Sequence, residues 1–439
     1  MRSTVFLILL ALTVGYSLLS YAGVTQPEWN AVVLVLCSLS LLYWIPGRSS
    51  AFAPPPSHGL SVLVAAFVAY IAIQLTPLPV SWIAVLSPAK AELISALSPE
   101  GLSGWTPLSV SPTLTFIHLF RILAYLLVFF LIRDLTFHQT DRTWMIAVPL
   151  LLFASGEAAL GLTQSFGTGQ PATGTFVNQD HFSGLLELIL PFPLMLALNV
   201  LRSVRKQLNE SLGKATLVCV LLACSAEILL AMLYSGSRMS LPVTGVSIIV
   251  MTALFFGSSA RGKAGRMTSL LAAVAAIGFV LLSVPLALIQ RYSPGLTQEG
   301  RLAIWKETAV LIRHYPVFGC GLGTFVSAIQ KYRTSLPLNL VDYAHNDYLQ
   351  LLAEMGVVGF AIVLAILLIS FRILFRSAQE ELGQTRRALA IASAASLSGI
   401  AVHSVVEFHF YIPATMLVVA WIAGIASGIH AAAKPIPRQ

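Results

Sequence analysis

Runs of about 20 mainly apolar residues recur along almost the whole chain, separated by short polar links. An α-helix rises about 1.5 Å per residue, so each run is long enough to cross a hydrocarbon core of about 30 Å, with its backbone N–H and C=O groups satisfied inside the segment. Composition excludes a water-soluble alternative: the 439 residues are 57% hydrophobic and 10% charged, with mean hydropathy +0.83. The expected fold class is therefore all-α, a polytopic integral membrane protein forming a single membrane domain over 1–439. Twelve spans are expected: Ser3–Ala22, Asn30–Ile45, Leu60–Thr76, Thr113–Ile132, Thr143–Thr163, Phe182–Leu201, Lys214–Leu233, Ser240–Phe256, Met267–Leu288, Asn346–Ser370, Arg386–Val402 and Ile412–Ile429. The first run is too long for a signal-peptide core and reads as a span.

Orientation follows from the basic residues. With both termini cytoplasmic, 17 of the 26 Lys and Arg fall on the cytoplasmic side and eight outside, while Arg121 lies within a span. Six of the outer eight sit in one long loop, 290–344, between spans nine and ten, a length that translocates regardless of charge. The net charge of +8 is thus a topology signal, and no nucleic-acid partner is expected. Of four cysteines only Cys320 lies in a long polar segment, which excludes a disulfide framework.

The long connections, 77–112 and 290–344, both fall outside, so chemistry is expected on that face. Within the second, Gly300–His314 has Leu302, Trp305, Ala309 and Ile312 at helical spacing, with Lys306, Glu307 and Arg313 displaced from them, and reads as an amphipathic surface helix. The stretch Pro316–Gly323 that follows has three alternating glycines and reads as a turn; a phosphate cradle is the weaker alternative, lacking a strand before it and a helix after.

Arg238 sits in a very short outer turn between two spans, either as a headgroup anchor or as an anion ligand whose planar fork matches phosphate oxygens. Arg301 opens the surface helix, where its charge and the free N–H groups point the same way. His345 lies among Asp342, Asn346 and Asp347, and Asn346, Gln350 and Glu354 continue as a polar stripe facing protein or a wet cavity. A neutral imidazole there can take a proton from an attacking hydroxyl, with a nearby carboxylate to orient it. Arg121, Glu157, Glu187 and Glu227 fall in the outer half of the spans; interhelical Arg–Glu contact is the plain reading, a polar cavity the functional one. Asn178, Asp180 and His181 add polar groups at the same surface, too few ligands for a metal. No Asp-x-Asp, Walker or His-Glu-x-x-His motif occurs, so a reaction with an already activated donor and neither metal nor cofactor is expected.

Three separated segments resemble the bacterial O-antigen ligase and polymerase superfamily, membrane glycosyltransferases of the class C type: the loop Thr173–Phe182; the turn Ser235–Arg238; and Gly300–Trp305 with Pro316–Phe325, Ala344–Gln350 and Glu354–Gly359. The family-like core spans about 173–360. The resemblance implies metal-free, inverting transfer of a glycan from undecaprenyl diphosphate to an acceptor hydroxyl at the periplasmic face of the inner membrane. It implies His345 as the residue that activates the acceptor and Arg238 and Arg301 as the diphosphate ligands. Asn178, Asp180, His181, Trp305, Asn346, Asp347, Gln350, Arg121, Glu187 and Glu227 are the further candidates around them. The acceptor is expected to be lipid A-core, with membrane lipids as surroundings; another carrier-linked glycan or a protein hydroxyl is the alternative. A twelve-helix transporter is the competing class, disfavoured by the lack of repeated halves.

Overall fold

The computed structural model describes residues 2–45, 52–97, 104–139, 142–204, 211–257, 298–334, 340–379 and 383–433. The ninth expected span, Met267–Leu288, lies outside them. Eight helices among the described residues are long and apolar enough to cross a membrane. Two more of the expected spans are shorter apolar helices, and Gln384–His403 is a helix too, less apolar than the others.

The chain begins with α1 (Arg2–Leu19), α2 (Gln26–Trp44) and α3 (His58–Leu75). The first long connection then folds as two short helices, α4 (Val80–Leu86) and α5 (Pro88–Leu97). Leu78–Pro79 and Trp105–Thr106 close it as a two-residue antiparallel ladder. Next come α6 (Pro112–His138), α7 (Val148–Thr168), α8 (Gln179–Ile189), α9 (Pro191–Val204), α10 (Ser211–Ser235) and α11 (Ser240–Gly257). The expected sixth span is present as one apolar stretch, Gln179–Arg202, in which α8 passes into α9 at Leu190 with helical backbone, where Pro191 and Pro193 leave gaps in the hydrogen-bond ladder. After the second long loop's helix, α12 (Gln298–His314), and the short α13 (Phe325–Ala328), the chain ends in α14 (Asp347–Ser377), α15 (Gln384–His403) and α16 (Pro413–Ala433).

The largest core lies where α16 runs along α6, with Trp421 fully buried. Small residues set that closeness: a Cβ on Gly424 would stand 2.8 Å from the Phe129 carbonyl oxygen, and one on Gly428 2.5 Å from that of Arg133.

Alternate helix ends meet at one end of the bundle. There the Thr175 hydroxyl donates to the Leu18 carbonyl at 2.8 Å. Ala172 N–H donates to Tyr234 O (2.9 Å), Val110 N–H to Cys320 O (2.8 Å) and Asp347 N–H to Ser404 O (2.9 Å). The opposite end is pinned by Asp134, which accepts from the Tyr43 hydroxyl and from Ala53 N–H at 2.7 and 2.8 Å.

The amphipathic helix is present as α12, but its buried face differs from the expected one. Ile304, Glu307, Thr308, Leu311 and Tyr315 are inside, whereas Leu302 is 45% exposed. Glu307 can be buried because Arg333 pairs with it at 2.9 Å and Thr334 N–H donates to it at 2.7 Å. Hydropathy assigned that carboxylate to water; a partner 26 positions along the chain brings it inside.

Candidate active site

The site is built around a residue held in an unusual conformation. His345 has φ +49°, in the left-handed region that costs a residue with a Cβ about 1 kcal/mol or more. Its neighbours enforce it. Trp305 of α12 donates its indole N–H to the Ala344 carbonyl at 2.9 Å, and Gln350 accepts from Ala344 N–H at 2.9 Å. Asn346 caps α14, its side-chain oxygen accepting from Tyr348 and Leu349 N–H, both at 3.0 Å. Asp347, 1% exposed, accepts from Phe410 N–H. Its own N–H donates to the carbonyls of Ser404 and Glu407. Trp305, Asn346, Asp347 and Gln350 are therefore the frame of the histidine.

Asp347 fastens to α14 the link between α15 and α16, and this link supplies the residue that sequence reasoning missed. Glu407 is 1% exposed; one carboxylate oxygen pairs with Arg301 Nη2 and the other with His345 Nδ1, the latter at 3.1 Å. Burial by itself would push the Glu407 carboxyl up. The hydrogen bond and charge of His345, then Arg301 and His181, outweigh it and hold the group below its usual range, as a carboxylate. Glu407 lies beyond the family-like stretch. Its available signal was one acid between two histidines, His403 and His409, at the end of α15 and in the short link that follows it.

Asp180 joins the same cluster, 3.8 Å from Arg301 Nη2. Asn178 is the cap of α8, accepting from Asp180 N–H at 2.7 Å. His181 packs edge-on against Phe408, ring centroids 4.4 Å apart, and His345 does the same at 4.9 Å. Behind Phe408, His409 is fully buried with neither ring nitrogen hydrogen-bonded among the described residues. Burial, with His403 and His181 nearby, drives its pKa well below the ordinary imidazole value. His403 in turn pairs with Glu187 at 2.9 Å, so Glu187 lies a layer deeper than the cluster around Glu407.

Arg238 stands exposed on the turn after α10, and the bond from Ala172 to Tyr234 ties that turn to the loop leading to Asp180. Arg121 and the embedded acids do not form the expected Arg–Glu contact. Arg121 lies over the Trp29 ring, 5.7 Å from its centroid, and 3.5 Å from His118. Glu157 accepts from Thr175 N–H and hydroxyl, and Glu227, half-buried on α10, bonds to none of these groups. Each acid found a nearer polar partner or partial exposure, so depth in the bilayer did not predict pairing.

The glycine turn is structural. Glu354, fully buried, accepts from Gly323 N–H (2.7 Å), Phe325 N–H (3.0 Å) and the Tyr411 hydroxyl (2.7 Å). Cys320 and Gly321 N–H donate to the carbonyls of Ala353 and Glu354. Leu322 N–H donates to Gln74 Oε1 of α3 at 3.1 Å, so the N–H groups from Cys320 to Gly323 are spent on α14 and α3. Gly356 kinks that helix with φ +60° and ψ −174°, a conformation essentially confined to glycine.

Residues 219–364 match the family model described as O-antigen ligase. The match covers a third of the chain and supports its likeness to the O-antigen ligase superfamily over that segment. The O-antigen ligase match holds Arg238, Arg301 and His345 and leaves out Asp180 and Glu407. With the apolar helices it makes the protein a multi-pass bacterial membrane protein of glycosyltransferase-like activity, acting on lipid-linked glycans in general. A search of curated proteins gives no match.

Proposed function

We propose that this protein is an O-antigen ligase, transferring a glycan from undecaprenyl diphosphate to a hydroxyl of lipid A-core on the periplasmic face of the inner membrane, with both termini cytoplasmic. The observation that carries the reading is Glu407: one buried carboxylate joins a guanidinium from the loop helix to an imidazole at the head of α14. A carboxylate on Nδ1 keeps the proton there and leaves Nε2 free to accept one, as a general base requires.

The acceptor O–H then gives its proton to His345 Nε2 as its oxygen bonds to the anomeric carbon. The bond from that carbon to the diphosphate breaks, and its electron pair leaves with the diphosphate. Attack opposite the leaving group inverts the configuration. Arg301 and Arg238 are the cations for the charge that develops there, each offering two parallel N–H groups to phosphate oxygens. The orientation is supported by the excess of Lys and Arg at the other ends of the spans.

The test is reconstitution of purified protein with lipid-linked donor and lipid A-core. Product is expected from the wild type and none from His345→Ala; equal product from both would remove the base. In a deletion strain, full-length unattached polymer is expected. Single repeat units would reassign the protein as a polymerase, and loss of a glycoprotein alone would make the acceptor a protein.

A further inference from the structure

Glu407 serves two partners at once, the Arg301 guanidinium and the His345 ring, and the guanidinium is the more exposed of the two. Its carboxylate is 1% exposed, whereas the Arg301 and His345 side chains are 24% and 15% exposed, and the Arg301 Nε, itself buried, makes no hydrogen bond among the described residues. The charged and titratable groups about Glu407 are Arg301 from α12, His345 before α14, Asp180 and His181 from α8, His403 from α15 and the buried Asp347. Arg301 is the cation that touches both carboxylates of the cluster. A guanidinium bonded to Glu407 opposes placing a second positive charge on the other oxygen's partner, and at this burial such charges are weakly screened.

Resting on the donor assignment above, we propose that Arg301 is a donor-sensitive switch on the base: a diphosphate draws the guanidinium off Glu407, whose carboxylate then serves His345 alone, so that His345 gains basicity only when the donor is in place. The diphosphate brings at least two negative charges and oxygens spaced for the fork, against one carboxylate oxygen from Glu407 and one more distant one from Asp180. The switch couples two events that are wasteful apart, since a strong base facing a site without donor activates nothing. Arg301 thereby acts on His345 through Glu407, as a positioning residue, in addition to binding the donor.

The test uses full-length protein with ¹⁵N-labelled histidine, at fixed pH, with inorganic pyrophosphate as probe and calorimetry to follow its binding. The His345 ring signals are identified by their loss in His345→Gln. Pyrophosphate is expected to raise the His345 imidazolium-to-imidazole ratio about tenfold or more. Arg301→Gln is expected to show the raised ratio without pyrophosphate and no further response. In Glu407→Gln pyrophosphate is expected to bind while His345 stays unresponsive. Bound pyrophosphate with an unchanged wild-type His345 ratio would overturn the switch and leave the donor site standing. Absence of pyrophosphate binding would overturn the donor assignment, and the switch with it.

Discussion

Replacing Glu407 by glutamine keeps the shape but removes the charge between His345 and Arg301 and turns one of the two accepting oxygens into an NH2 donor. The carboxylate and the imidazole Nδ1 are 3.1 Å apart, with 1% and 15% of their side chains exposed. Two unit charges about 4 Å apart at an effective dielectric of about 20 interact by about 4 kcal/mol, an upper bound here because Arg301 shares the same carboxylate. A hydrogen bond to a charged group contributes about 1.5–3 kcal/mol. Taking about 2 kcal/mol as lost from the transition state, Glu407→Gln is expected to lower kcat about 30-fold. The KM for donor is not expected to rise, because Arg301 loses its competitor. The assay is the reconstituted transfer reaction, with product resolved from unreacted lipid A-core and with thermal unfolding followed in parallel. A folded variant turning over within about twofold of wild type would refute the argument that this carboxylate orients and stabilises the base.

Three further outcomes follow from the same contacts. Arg238→Lys is expected to slow transfer about tenfold despite keeping the charge, because lysine lacks the planar fork; wild-type turnover would return Arg238 to a headgroup anchor. Glu354→Ala strands two buried N–H groups and the Tyr411 hydroxyl, and is expected to cost about 3 kcal/mol or more, read as a lowered Tm with the glycine turn newly sensitive to protease. The contributions of His409 and Glu407 to stability should fall with acid, since both titrate below their ordinary values when folded. What they contribute is complete above the unfolded values, about 6.5 for histidine and 4.3 for glutamate, and is lost as pH falls below each. The histidine part is read as the Tm difference between wild type and His409→Phe, which should move in favour of the variant as pH falls from about 7.5 to about 5; a constant difference would contradict it.

Much of the fold was readable because a bilayer demands one thing repeatedly, about 20 apolar residues whose backbone bonds to itself. The described helices α1–α3, α10, α11, α15 and α16 begin and end within about four residues of their expected spans, whereas α7 is shifted by five and α6 and α14 run six and seven residues further at their C-terminal ends. Of the site, His345 and Arg301 could be read from local polarity in an apolar chain, and the structure brings them together. Glu407 could not be found from its own surroundings, since its meaning comes from residues 62 and 106 positions away. The buried stripe of α12 failed for a related reason. Hydropathy scores Glu307 as a solvent residue, and only Arg333 across the fold makes its burial tolerable. Pairing across the fold is what a single sequence does not display.

The polar stripe at the head of α14 shows how the two kinds of residue depend on each other. Asn346, Gln350 and Glu354 face one way along the helix, and none of them bonds to His345. Asn346 caps the helix, Gln350 holds the backbone before the histidine, and Glu354 anchors the glycine turn and Tyr411 of the link that carries Glu407. Together with Asp347 they fix two chain segments against each other, so the left-handed backbone at His345 is opposed by several buried hydrogen bonds of about 1 kcal/mol each. In an ordinary helix start His345 would have relaxed to a right-handed or extended conformation. Buried carboxylates and amides in a membrane helix are costly unless fully bonded, and here their bonds set the distance between an imidazole and the carboxylate that orients it.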